Sequence, residues 1–318
     1  TYDVRGNILS KNTYAYTTGT LGTATDTINY TYSNSWKDKL YTYDGQSISY
    51  DSIGNPTSYR GATLTWQKGR QLASYTTSSK TLNFKYNIDG LRTQKKVGST
   101  TYSYIWSSGL LMQQSDGTNT LKFSYSPDGR PLGVVFNGTN YYYIYNLQGD
   151  VIGLYNNTGT VVVEYTYDSW GKLISKTGSL SSTLGNLNPF RYRGYIYDEE
   201  TGLYYVSSRY YDPEIGRWIN ADGQLTTGSD LTGLNLFAYC GNNPVNCIEI
   251  GGYRWAWIDN IDDWLHKGND LLREMGIDSA AIGAYFLMME KDDDGNYHAS
   301  FNCWQQYAGY NELYDIAF

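Results

Sequence analysis

The sequence predicts a mainly β protein in which tandem β-hairpins pair edge to edge into part of a curled sheet, followed by a small α+β C-terminal segment. Three observations predict it. Tyrosine makes up 35 of 318 residues beside 34 Gly and only 6 Pro, which suits strands and tight turns and is too poor in Pro for collagen-like or elastic chains. A Tyr-Asp/Asn phrase closed by Gly recurs, beginning at Tyr2-Asp3 and restated at Tyr43-Asp44, Tyr50-Asp51, Tyr86-Asn87, Tyr145-Asn146 and Tyr167-Asp168. The aromatic anchors Tyr86, Trp106, Tyr125, Tyr145 and Tyr165 follow one another at intervals of 20, 19, 20 and 20 residues.

Each period over residues 1–180 reads as one hairpin. An alternating aromatic strand such as 141–145 meets a turn in which Asp or Asn bonds its own backbone and Gly supplies positive φ. A short apolar return such as 151–155 follows. One hairpin cannot bury a face alone, so neighbours must share a sheet. Tyrosine serves this because its ring packs on the next strand while its hydroxyl reaches water or a partner. The tyrosine rows therefore read first as packing, and second as an aromatic platform for sugars.

Charge divides the chain near Gly251-Gly252. Residues 1–252 carry 20 basic and 19 acidic side chains and residues 253–318 carry 4 and 12, within an overall charge of −7. A body with no net positive field is a poor match for phosphate, so nucleic acid is not an expected partner of residues 1–252. Both histidines, His266 and His298, lie after the boundary, which leaves the body without an imidazole for base, triad or metal chemistry. No cofactor and no metal is expected. Cys240 and Cys247 are close enough in sequence for a small-loop disulfide, with Cys303 left over, and reduced thiols are the default reading. No run approaches the ~20 apolar residues of a membrane span. The chain opens on Thr1, without a leader, so a piece of a longer protein with any export signal upstream is expected.

After the repeats, Phe190 to Tyr197 alternate, 198–202 form a loop, and Leu203 to Tyr211 run back, so a single hairpin is expected. Arg191, Arg193, Arg209 and Arg217 stand among aromatics, where guanidinium groups stack on rings and bridge Asp198 or Asp212.

At these residues the chain resembles the Rhs, or YD-repeat, proteins of the polymorphic toxin type. The resemblance rests on the tandem Tyr-Asp phrases, on Asn188-Pro189-Phe190-Arg191-Tyr192-Arg193-Gly194 and on Arg209-Tyr210-Tyr211-Asp212-Pro213. It extends through Gly216-Arg217-Trp218 and Gly241-Asn242-Asn243-Pro244 to about residue 250. It implies repeats 1–180 wound into a hollow β-shell, an Rhs-associated core over 181–252 that plugs it, and the start of a variable C-terminal domain over 253–318. It further implies a secreted or cell-surface protein that encloses or presents its own C-terminal effector, with an immunity protein as counterpart. The competing readings are a surface module that binds cell-surface glycans and a self-cleaving protease.

Many members of this family cut themselves after a Pro-x4-Asp-Pro-x-Gly phrase. Here the matching phrase runs from Pro244 to Gly252, with Glu249 where the resemblance implies Asp and Ile250 where it implies Pro. Hydrolysis without His or metal needs two carboxyls held apart in pKa, and Asp222 is the candidate partner of Glu249. The longer side chain and the lost proline count against catalytic placement.

In the tail, apolar spacing from Ile261 to Met275 predicts a helix over about 260–275, between an N-cap at Asp259 and a stop at Gly276. Residues 284–290 and 297–304 flank an Asp294-Gly295 turn and read as a hairpin. Phe301 stands where a calcium loop needs Glu, so calcium is not expected. His298 and Cys303 point to opposite faces of one strand, which argues against a nucleophile pair.

Overall fold

The computed structural model describes residues 1–223 and 235–250, and the backbones of strands at 254–257, 289–291 and 297–299. The tail helix, Tyr253, His266, Cys303 and the side chain of His298 lie outside the described residues. The chain divides into two compact units, one comprising residues 1–120, 169–172 and 196–256, the other 121–168, 173–195 and 257–318.

In the first unit, β1 (Ser10–Thr13), β2 (Asp26–Tyr32), β3 (Leu40–Tyr43) and β4 (Gln46–Ser47) form one antiparallel meander. A second begins with β5 (Ser49–Tyr50), β6 (Pro56–Tyr59), β7 (Ala62–Gln67) and β8 (Gln71–Thr76). It continues through β9 (Thr81–Tyr86), β10 (Arg92–Val97), β11 (Thr100–Ser107) and β12 (Leu110–Ser115). The second unit repeats the pattern with β13 (Thr120–Tyr125), β14 (Pro131–Phe136) and β15 (Thr139–Tyr145), then β16 (Val151–Asn156), β17 (Val161–Tyr167) and β18 (Leu173–Thr177). Within each of these meanders every strand pairs with its neighbour in sequence, so the expected hydrogen bonding from one repeat to the next is present from β5 onward, while β4 and β5 belong to separate sheets. Among the described residues no sheet closes on itself.

The repeat phrase is a self-contained turn. Asp51 Oδ1 accepts from the backbone N–H of Ile53 at 3.0 Å and of Asn55 at 2.8 Å. Asn55 Nδ2 then donates to Asp51 Oδ2 at 2.8 Å and to Gly69 O at 2.7 Å, tying the turn to the next hairpin. Gly54 sits at φ +86°, where a Cβ would stand 2.8 Å from Ala221 Cβ, so both dihedral and space demand glycine. Asp3 and Asn7 repeat the arrangement, with Asn7 Nδ2 reaching Lys37 O at 3.1 Å.

The aromatic anchors have a second role beyond packing. Tyr86 Oη donates to Leu72 O at 3.0 Å, Trp106 Nε1 to Arg92 O at 2.7 Å and Tyr145 Oη to Pro131 O at 2.5 Å, while in the last repeat Tyr167, not the expected anchor Tyr165, takes this place, donating to Val151 O at 2.8 Å. Each acceptor is the carbonyl at or beside the start of the preceding return strand, where the β-bulges interrupt regular pairing. An aromatic with a polar tip fills the gap and satisfies a backbone group at once, which favours Tyr and Trp over Phe.

The core differs from the single hairpin expected. Tyr192–Gly194 form a 3-10 turn with Arg193 at φ +54°, so the strand β19 begins only at Ile196 and ends at Asp198. Ser207 turns the chain at φ +51° and splits the return into β20 (Leu203–Val206) and β21 (Arg209–Asp212), to which β22 (Arg217–Trp218) adds a fourth strand. A left-handed residue mid-run breaks a strand whatever its alternation. Beyond these, β23 (Cys247–Ile250) pairs with β24 (Arg254–Trp257), and β25 (Met289–Lys291) with β26 (Tyr297–Ala299), the strands expected on either side of the Asp294-Gly295 turn.

Candidate functional site

The core meander is fixed to the repeats by buried charge. Arg92 of β10 grips Asp198 in a fork, Nη1 to Oδ2 at 2.6 Å and Nη2 to Oδ1 at 2.9 Å. Lys95 on the same strand reaches Asp198 at 3.1 Å and Glu200 at 2.6 Å. Phe84, Tyr104 and Tyr205 rings surround the Arg92 guanidinium at 5.4, 5.2 and 4.6 Å. Burial works to raise the Asp198 pKa, but Arg92 and Lys95 hold it below the ordinary value.

Asp212 makes a second attachment. It accepts from Tyr59 Oη at 2.8 Å and Arg60 Nη1 at 3.0 Å, and caps the following turn through the N–H of Glu214 at 2.8 Å. Pro213 is buried beside it, and Gly216 sits at φ +74° against Trp170, where a Cβ would meet Cε3 at 2.9 Å. Tyr210 Oη meets Tyr86 Oη at 2.9 Å, and Tyr211 stacks on Tyr239 at 4.0 Å while donating to Trp170 O at 2.7 Å.

The four arginines do stack on rings, but their carboxylate partners are not Asp198 or Asp212. Arg191 lies over Tyr165 at 4.2 Å and donates to Asn188 O and Gly185 O at 2.6 and 2.5 Å. Arg193 lies over Tyr192 at 4.8 Å and meets Asp150 at 3.4 Å, and the next residue, Gly194, closes the turn onto Arg191 O at 2.9 Å. Arg217 joins Asn7 Oδ1, Asp38 O and Asn235 Oδ1 at 3.3, 3.0 and 3.2 Å. Asp198 and Asp212 are instead taken by Arg92, Lys95 and Arg60, residues that sequence reasoning missed. The signal was present. In the 20-residue register Arg92 and Lys95 occupy the places of Leu72 and Tyr75, both buried, so two cations stand on an inward apolar row.

Arg209 brings the two candidate acids together. Its Nη2 lies 3.1 Å from Asp222 Oδ2 and 3.5 Å from Glu249 Oε2, with the guanidinium 4.0 Å above the Trp218 ring. All three charged side chains are buried. Glu249 Oε1 accepts from the Cys240 N–H at 3.2 Å, and Cys240, at φ +49°, donates its thiol to Cys247 O at 3.3 Å. Both cysteines are reduced. Asn243 organises this loop by accepting from the N–H of Cys247 at 3.1 Å, with Pro244 buried in it. Burial raises the Glu249 pKa, Arg209 and Cys240 oppose it, and Asp222 adds to the rise. Two close carboxyls, one pushed toward its protonated form, are the chemistry acid hydrolysis needs. Among the described residues no group of His, Cys, Asp and Glu is arranged to hold a metal, and no helix is long and apolar enough to cross a membrane.

The teneurin YD-shell family matches residues 132–245. The tRNA3(Ser)-specific nuclease WapA of Bacillus spizizenii is 36% identical over 228 residues, which is 70% of this chain and 10% of that protein. The double-stranded DNA deaminase toxin A of Burkholderia cenocepacia is 25% identical over 253 residues, 68% of this chain and 17% of that protein. The chain belongs to the Rhs/YD-repeat family. It spans about a tenth of the length of its WapA relative. The Tc holotoxin pore of Photorhabdus luminescens shares the fold at a TM-score of 0.60 and 21% identity, over 79% of this chain and 13% of that one. The repeat and core motifs thus place this Rhs/YD-repeat chain among shell segments of toxin-related proteins.

Proposed function

We propose that residues 1–252 are the carrier part of an exported or cell-surface toxin, with repeats over 1–180 as wall, core over 181–252 as cap, and an effector beginning at about 253. One observation carries this reading. Two relatives with different named activities, a nuclease and a deaminase, both align with this chain, so what they have in common is the carrier rather than the chemistry. Tyr86, Tyr145 and Tyr167 support it, since their hydroxyls are tied to carbonyls of the wall itself. An effector of this type calls for an immunity protein in the producing cell. The test is protease protection of the segment after residue 252 in the full-length parent protein. Protection that is lost when Asp198→Asn loosens the core is the expected result, and equal digestion in both proteins overturns the proposal.

The joint hold of Arg209 on Glu249 and Asp222 favours a second reading, self-cleavage near Tyr253. One carboxylate takes a proton from water as its oxygen attacks the scissile carbonyl carbon. The protonated partner hydrogen-bonds the carbonyl oxygen, and the C–N bond then breaks with the proton delivered to the amine. Intact mass after long incubation tests it. A single species at the full 36.0 kDa counts against cleavage. Fragments ending near Tyr253, abolished by Glu249→Gln, support it.

A further inference from the structure

The Trp218 side chain is 2% exposed, yet its indole Nε1 makes no well-formed hydrogen bond. Such an orphaned donor costs free energy unless it has a use in another state. The ring is wedged by Tyr211 at 5.8 Å and Tyr239 at 5.6 Å, and the strand is pinned by the Trp218 N–H to Phe237 O at 3.1 Å, so the indole cannot turn away. Above the ring lies the Arg209 guanidinium, which also meets Glu249 Oε2. One guanidinium thus touches both the Trp218 ring and the Glu249 carboxylate.

We propose that Trp218 is a positioning residue for Glu249, its indole N–H held in reserve as a donor to the carboxylate oxygen next to Arg209. The proposal rests on the self-cleavage reading and adds a residue to it. The groups facing Glu249 are then Arg209, Asp222, the Cys240 N–H and the Trp218 N–H, and the last of these, when it donates to the carboxylate, pulls the Glu249 pKa down against burial. Phe in this place would give Arg209 the same floor without the donor.

The test follows the Trp218 indole N–H resonance of the 15N-labelled full chain between about pH 4 and 8, assigned with Trp218→Phe and, should that variant misfold, with Trp218→Tyr. The expected result is a titration that disappears in Glu249→Gln and persists in Asp222→Asn. Where cleavage occurs, Trp218→Phe should also shift its pH profile upward by about 0.5 unit. An indole that does not titrate, or titrates alike in Glu249→Gln, overturns the proposal. A titrating indole in a chain that never cleaves sinks the self-cleavage reading instead and leaves the contact standing.

Discussion

At Asp198 a buried carboxylate faces two cations, and neither side tolerates the loss of the other. Asp198→Asn leaves Arg92 and Lys95 short of a buried charge, and the expected cost is about 3–5 kcal/mol in denaturant unfolding of the full chain. The pH dependence follows from the same pair. With its folded pKa lowered, Asp198 contributes stability that is full above its unfolded value of ~3.9 and is lost as acid passes its folded one. Glu249 has the opposite sign. Its raised folded pKa makes ionisation unfavourable in the fold, so its contribution falls as pH rises from ~4.3 through the folded value. Urea midpoints for Glu249→Gln against the parent chain should therefore converge at low pH and favour the variant as pH rises, and a constant difference would contradict this.

Within a hairpin, turn and anchor do separate work. Gly54→Ala meets both a left-handed backbone and the Ala221 methyl, whereas Gly61→Ala, at φ +78°, meets open space. The first should cost about 2–3 kcal/mol and the second about 1 kcal/mol in equilibrium unfolding. Equal costs would show that the contact with Ala221 is unimportant. Trp106→Phe keeps the ring and deletes the bond to Arg92 O, so a loss of about 1 kcal/mol is expected with the sheet intact by circular dichroism. These repeats were legible in the sequence because every determinant is local: the Asp-Gly-Asn turn bonds within itself, and alternation assigns faces. The core was less legible. Its Asp198 and Asp212 partners lie 106 and 152 residues away, at Arg92 and Arg60, and no short-range pattern names them. The splitting of 203–211 depended on one serine adopting positive φ, which its residue type does not announce.

For the molecule as a whole, the 20-residue period and the core motifs determined a hairpin-repeat protein of the Rhs/YD-repeat kind. Those properties need only composition and neighbours in sequence, because a hairpin's turn, faces and edges are set within one repeat. Tertiary structure decided where the charges go. It put Arg92 and Lys95 under the core, and it gathered Glu249 and Asp222 on one arginine over Trp218. Burial decides such pairings, since a charge taken from water must find its partner wherever the chain brings one, and distance along the sequence does not enter that requirement.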